Sequence, residues 1–273
     1  MTKNWSVRGV LAIAGLLFAS AVLAQRVAVL GGPNSPSWNN DVQSKLVSTG
    51  LFPGGVDIIN ISTTTPSLAT LKQYNAVLVY SDGAGFADGV TLGNNLADYV
   101  DAGGGVVTAV FITASIPLTG RFNSANYYII QPTSQQSGSQ QTLGTVYLPA
   151  DPLMAGVTSF NGGTNSYRPS SSSLHPGAVR VADWSGPGTI PLIAKGMING
   201  HPRVDLGFYP PSVDARSDFW LSSTNGARIM ANALLFVAGG GFVVPTLQPI
   251  MLVVLSLGLM LAVAWWMRRS GMR

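Results

Sequence analysis

Arg26-Val27-Ala28-Val29-Leu30-Gly31-Gly32 is a short apolar run closed by two glycines. A run of this length with no polar alternation reads as a strand buried on both faces, as in a parallel sheet. Working outward, the pattern recurs. Val56 to Ile61 is a second strand, Ala76 to Tyr80 a third ending in Ser81-Asp82-Gly83, and Val106 to Phe111 a fourth. Amphipathic helices fall between them. Ser37 or Asn39 caps one that carries Val42, Leu46 and Val47 on one face. Ser67 to Tyr74 forms a short one, with Leu68 and Leu71 inward. Asp88 to Ala102 forms a third, with Leu92, Leu96 and Val100 at helical spacing, stopped by Gly103-Gly104-Gly105. Strand and helix alternate as in a doubly wound α/β domain with right-handed crossovers.

The second half is less regular. Gln131 to Thr145 is polar and reads as a surface loop, as does Ser170 to Ser173. Ala178 to Asp183 and Leu192 to Lys195 read as strands. Asn199-Gly200 is a hairpin turn signal, and Val204 to Tyr209 returns as a strand. Asn225 to Val237 is a last helix, with Ile229, Ala233, Leu234 and Val237 apolar, ending at Gly239-Gly240-Gly241.

Both ends read as targeting segments. Lys3 and Arg8 precede an apolar stretch from Val10 to Leu23, and Val22-Leu23-Ala24 offers small residues for cleavage after Ala24. Residues 1–24 are therefore expected to be a signal peptide, with an uncleaved signal anchor as the alternative. At the other end an uncharged run from Ile250 to Met267 precedes Arg268, Arg269 and Arg273. Eighteen helical residues cover about 27 Å, close to the roughly 30 Å of a bilayer core. Trp265 and Trp266 stand where an interfacial aromatic pair belongs, and the arginines obey the positive-inside rule. Residues 250–267 are thus expected to cross a membrane once, with the N-terminus outside and the C-terminus cytoplasmic.

The charge balance changes once the ends are set aside. The chain of 273 residues has 15 Lys+Arg and 11 Asp+Glu. Lys3, Arg8, Arg268, Arg269 and Arg273 lie in the end segments, leaving ten basic and eleven acidic residues in between. That near-neutral domain gives no footing for nucleic-acid binding. Every acid is Asp, which suits turns and caps and fits a loop-rich domain. Cysteine is absent, which excludes a disulfide scaffold, a Cys nucleophile and a thiolate metal site. No cofactor or metal is expected.

Val244-Pro245-Thr246-Leu247, followed by one apolar span and a basic end, resembles the IPTL-CTERM class of bacterial sorting signal, although Gln248-Pro249-Ile250 departs from the usual continuation. The resemblance implies an envelope or exported protein of a Gram-negative bacterium, whose segment 244–273 is recognised by a sorting protease. A plain membrane anchor is the alternative. Residues 25–241 carry a second resemblance. Asp151-Pro152-Leu153-Met154-Ala155-Gly156-Val157, Ala182-Asp183-Trp184, Pro191-Leu192-Ile193-Ala194, Gly207-Phe208-Tyr209-Pro210-Pro211-Ser212, Gly226-Ala227-Arg228 and Asn232-Ala233-Leu234-Leu235 look like the second half of class I glutamine amidotransferase-like, ThuA-like domains. It implies a flavodoxin-like three-layer α/β domain with a mostly parallel sheet, in which the Pro-Leu-x-x-Gly turn precedes a hairpin and the last helix packs back on the sheet. Another flavodoxin-like domain is the alternative fold.

In such a sheet ligands bind beyond the carboxyl ends of the strands. The candidate ligand-binding residues there are Gly31, Gly32 and Asn34 after the first strand, Ser81, Asp82 and Gly83 after the third, and Thr113 after the fourth. Nucleotide fingerprints are missing. Enzymes of the resembled class use a Cys nucleophile on a sharp turn with a later His and acid. This chain has no such Cys and no G-x-S-x-G elbow. Ser81 or Ser115 needs a histidine in reach, and only His175 and His201 exist, both reading as exposed loop residues. The expectation is therefore a non-catalytic domain acting in binding or surface organisation. The alternative is a ThuA-like hydrolase or sugar-processing enzyme using Asp82 with a histidine, with or without a metal. A third reading has Trp184, Trp220, Tyr209, Phe208 and Phe219 as a glycan-stacking surface rimmed by Asp214, Arg216 and Asp218, although such aromatics usually pack a core.

Overall fold

The computed structural model describes residues 25–239. The expected signal peptide, 1–24, and the expected sorting or anchor segment, 244–273, lie outside the described residues. Among the described residues no helix is long and apolar enough to cross a membrane.

In chain order the elements are β1 (Val27–Gly32), α1 (Ser37–Ser48), β2 (Val56–Asn60), α2 (Leu68–Leu71), β3 (Ala76–Ser81), α3 (Gly89–Asp101), β4 (Gly105–Thr108), α4 (Gly120–Ser124), β5 (Gln135–Gln136), β6 (Leu143–Val146), β7 (Arg168–Pro169), β8 (Val179–Trp184), β9 (Pro191–Ile198), β10 (His201–Leu206) and α5 (Gly226–Val237). Eight strands form one sheet in the order β2-β1-β3-β4-β10-β9-β8-β6. Each adjacent pair from β2 to β10 is parallel, and the pairs from β10 to β6 are antiparallel.

The strands alternate between two cores. Val27, Val29, Leu78, Tyr80 and Val107 pack on one face with α1 and α5. Ala28, Leu30, Val77, Val79 and Val106 pack on the other with α2, α3 and α4. Every residue of β1, β3 and β4 is buried, as two-sided coverage of a parallel sheet demands. The Pro-Leu-x-x-Gly segment is a tight turn at Pro152–Met154. Asn232 of α5 donates from Nδ2 to the carbonyls of Leu153 (3.1 Å) and Ala155 (2.9 Å), locking that turn to the last helix.

Several local expectations are corrected. The first helix is preceded by Pro36, with no side-chain cap. Asn39 lies inside it and is buried, receiving the Tyr80 hydroxyl at 2.5 Å and donating to Gly31 O at 3.2 Å, so its amide is spent on the sheet. Val47 is 58% exposed and leaves the apolar stripe to Val42 and Leu46. The fourth strand stops at Thr108 because the chain turns, with the N–H groups of Ile112 and Thr113 both returning to Ala109 O. The return strand is His201–Leu206, and Asn199 and Gly200 both have positive φ, as the hairpin turn requires. The stretch 131–145 is not all loop: it contributes β5 and most of β6, which pairs with β8 at the sheet edge.

A fully buried ion pair ties the two halves together. Arg203 and Asp205 lie on β10 with no exposed surface, Nη2 to Oδ1 at 3.0 Å. Asp205 also receives the Thr108 hydroxyl (2.6 Å) and the N–H groups of Ile129 (2.7 Å) and Ile130 (2.9 Å). Arg203 donates to the carbonyls of Tyr127 and Val106. These bonds fix the irregular stretch after α4 to the middle of the sheet.

Candidate functional site

The carboxyl ends of β1, β3 and β4 converge at one pole of the sheet. Here Asn34, Asp82, Gly83, Phe111, Ile116, Gln135, Tyr167, Arg216 and Phe219 line an open pocket of about 260 Å³. That is near the lower limit of about 300 Å³ typical of small-molecule sites. A second gap, lined by Phe160, Trp184, Trp220 and neighbouring rings, holds about 10 Å³. That is at the lower limit for a single water molecule, far too small for a ligand.

Two polar clusters face the larger pocket. Asp82 leaves β3 and accepts from Asn34 Nδ2 (2.9 Å) and its neighbour's N–H at Gly83 (2.7 Å) on Oδ1, and from the Tyr209 hydroxyl (2.7 Å) on Oδ2. Three donors hold the carboxylate in one orientation. Across from it Arg216 donates from Nε to Asp218 Oδ1 (2.5 Å), and from Nη2 to Asp218 Oδ2 (2.7 Å) and the Tyr167 hydroxyl (2.9 Å). Its guanidinium lies 4.2 Å from the Phe219 ring centroid and 5.4 Å from that of Trp38. Nη1 makes no hydrogen bond among the described residues, so two N–H donors remain for a ligand. The walls are aromatic: Tyr167 stands edge-on to Phe111 at 5.1 Å and to Phe219 at 6.0 Å, with Tyr209 packed among all three.

The electrostatics follow from these contacts. The Arg216 hydrogen bonds hold the Asp218 carboxyl below its ordinary range, and those of Lys45 do the same for Asp214. Burial pushes the Tyr209 and Tyr80 hydroxyls well above the ordinary tyrosine range, so both are protonated donors. A carboxyl with a folded pKa below its unfolded value of about 4 binds protons more readily when unfolded. Its stabilisation is present above that value and fades as pH falls through the folded pKa. Arg216→Gln is therefore expected to lower stability at about pH 6 and to matter progressively less towards pH 3, read by urea titrations across that range. A stability gap that stays constant with pH would contradict the Arg216–Asp218 pairing.

The sequence candidates separate into groups. Asn34, Asp82 and Gly83 come together in the pocket. Gly31 and Gly32 lie beneath it and are spent on packing. A Cβ on Gly31 would collide with Asn39 and Tyr80, so this glycine makes room for the Asn39–Tyr80 contact, and one on Gly32 would sit 2.5 Å from Gly85 O, so this glycine lets the loop after β3 close over β1. Ser81 is fully buried and donates its hydroxyl to Ile116 O at 2.8 Å. Thr113 is buried and donates to Leu206 O at 3.3 Å. Ser115 donates to Gln135 Oε1 at 3.0 Å on the pocket rim.

Neither histidine meets Asp82, and neither is a fully exposed loop residue. His201 opens β10 and is half-buried. Arg203 is level with Val106, and Val106 with Val77, so seven strand residues separate His201 from Asp82. At about 3.3 Å per residue that is roughly 23 Å, the length of the sheet. His175 is half-buried beside Ile129 and Ile130, which belong to the opposite core from Phe111 and Phe219.

The proposed glycan-stacking tryptophans are core. Trp184 and Trp220 are each 2% exposed and donate their indole N–H to Gly207 O and Pro210 O, both at 2.8 Å. Phe208 is buried beside them. Phe219, Arg216 and Asp218 do belong to the site, whereas Asp214 pairs with Lys45 away from it. Sequence reasoning missed Phe111, Ile116, Gln135 and Tyr167 as lining residues. Only proximity to the end of a strand could have pointed to the first two, and nothing local marks the others.

No family model matches the chain, and no curated protein matches its sequence. Solved structures share its fold. A ThuA-like protein from Parabacteroides merdae superposes with a TM-score of 0.56 at 14% identity, over 79% of this chain and 90% of that one. A ThuA-like protein from Bacteroides uniformis gives 0.55 at 12% identity, over 78% and 91%. A cytoplasmic protein from Salmonella typhimurium gives 0.51 at 11%, over 78% and 99%. At such identities the likeness is one of fold: a mixed α/β domain with a large sheet, parallel in its first five strands, whose structural neighbours include ThuA-like proteins.

Proposed function

We propose that this chain is an exported, envelope-associated protein whose α/β domain binds a small saccharide and does no chemistry on it. One observation carries the binding reading. The pocket at the strand ends joins an oriented carboxylate, Asp82, a guanidinium with unspent donors, Arg216, and aromatic walls from Phe111, Tyr167 and Phe219. A sugar ring offers hydroxyls to the first two and a C–H face to the third. A pocket of about 260 Å³ suits one ring better than an extended ligand. The nearby Ser81 hydroxyl is committed to a backbone carbonyl, and both histidines stand elsewhere, so the pocket's own groups suit recognition better than acyl or glycosyl transfer.

Arg216→Gln is expected to weaken saccharide binding at least tenfold, since hydrogen bonds to charged groups are worth about 1.5–3 kcal/mol. Isothermal titration with a panel of cell-wall sugars reads this directly. Turnover of a glycoside or amide substrate that survives purification and is lost in Asp82→Asn would replace binding by catalysis.

The address rests on the two ends of the sequence: the basic and apolar leader before Gln25, and Val244-Pro245-Thr246-Leu247 with its apolar run and terminal arginines. Intact mass of the native protein from each cell fraction tests it. A mass starting at Gln25 and ending near Leu247 in an outer or released fraction means a processed sorting signal. A mass ending at Arg273 in the inner membrane means a plain anchor, and a cytoplasmic, full-length mass would defeat export.

A further inference from the structure

The domain has two poles, and its ends leave from the pole opposite the pocket. Arg26 enters β1 at the amino ends of the parallel strands, where its carbonyl accepts from Asn75 N–H at 2.8 Å. α5 starts at the pocket end, where Gly226 packs against the Trp220 ring, and runs back down the sheet. Its last turn lies against the start of β4: a Cβ on Gly105 would sit 2.7 Å from Val237 O. Both connections to the remaining sequence therefore emerge beside Asn75, Gly105 and the Asn199-Gly200 turn, while Asp82 and Arg216 occupy the far pole.

Chain length restricts what the domain can then do. Gly239 and the first residue of the apolar run, Ile250, are eleven residues apart. However that segment runs, it reaches at most about 40 Å. A domain of this size has a radius of gyration of about 17 Å and is roughly 45 Å across. Turning the pocket onto the bilayer would require the segment to run back past the full sheet, roughly 23 Å, and around the loops of the pocket pole, using most of that reach.

We infer that, in the membrane-anchored form, the pocket is presented on the pole farthest from the bilayer, so that its saccharide comes from the surrounding compartment and not from a glycolipid headgroup of the anchoring membrane. This rests on the anchored reading of the C-terminal run and extends it from address to orientation. Pocket and ends are separated by the sheet itself, so the orientation does not depend on which sugar binds.

The chain has no cysteine, so single labels are easily placed. Gln73→Cys marks the end-bearing pole and Ala84→Cys the pocket pole, both at exposed positions. Each full-length variant is fluorescently labelled, reconstituted into liposomes carrying acceptor dye on the headgroups, and floated. The label at position 73 is expected to be quenched at least threefold more strongly than that at position 84. Equal or reversed quenching in floated protein would overturn the orientation and leave the anchor standing. Failure to float would defeat the anchor, and the orientation with it, without touching sugar binding, which is measured separately on soluble protein.

Discussion

Replacing Asp205 by alanine is expected to cost about 3–5 kcal/mol, the usual price of stranding one partner of a buried ion pair. Arg203 would stay in the core with its charge uncompensated and only the carbonyls of Tyr127 and Val106 as partners. The N–H groups of Ile129 and Ile130 would lose their acceptor, and unsatisfied buried donors cost about 1–3 kcal/mol each. For a domain whose total stability is in the range of about 5–15 kcal/mol, that approaches unfolding at room temperature. Asp57→Ala supplies the contrast. It removes the Arg26–Asp57 pair, whose side chains are 44% and 40% exposed, and should cost no more than about 1 kcal/mol. Urea denaturation of the two variants measures both, and similar small losses would show that the Arg203–Asp205 network does not hold the fold.

Trp220→Ala is the second large effect, at about 3–5 kcal/mol for truncating a buried tryptophan. The ring fills the space under Gly226 at the start of α5 and packs against Phe160, and its N–H satisfies Pro210 O. At roughly 2–4 °C per kcal/mol for a domain of this size, the melting temperature should fall by about 10 °C. Saccharide affinity, measured well below the new melting point, should be unchanged because Trp220 does not line the pocket. A variant of normal stability that loses binding would restore the tryptophan as a stacking platform.

These two sites also mark what could be read in the sequence. Runs such as Val27–Leu30 and Ala76–Tyr80 announced themselves because burial on both faces leaves no room for polar residues. Helix α3 was equally plain, with Asp88 capping it through a 2.9 Å bond from Thr91 N–H and glycines ending it. Apolarity alone did not distinguish the strand Gly105–Thr108 from the buried turn that follows, since Ala109 to Ile112 are as hidden as the strand. The Arg203–Asp205 pair was invisible because charged residues signal surface until a partner across the fold is known. The pocket was half legible. Asp82 and Asn34 follow strand ends, where a doubly wound sheet places ligands. Gln135 reaches it from the two-residue strand β5, and Tyr167 and Arg216 from irregular stretches, and only long-range contacts such as Arg216 to Tyr167 bring them there.

The central claim is that the pocket between Asp82 and Arg216 is a saccharide site. A ¹⁵N NMR titration of the soluble domain with cell-wall mono- and disaccharides tests it most directly. The account predicts saturable shifts at the Gly83 amide, the Arg216 Nε–H and the Phe219 amide, with the His201 end of the sheet unmoved and all shifts lost in Arg216→Gln. Saturable shifts confined to another surface, or none with any sugar of the panel, would contradict it.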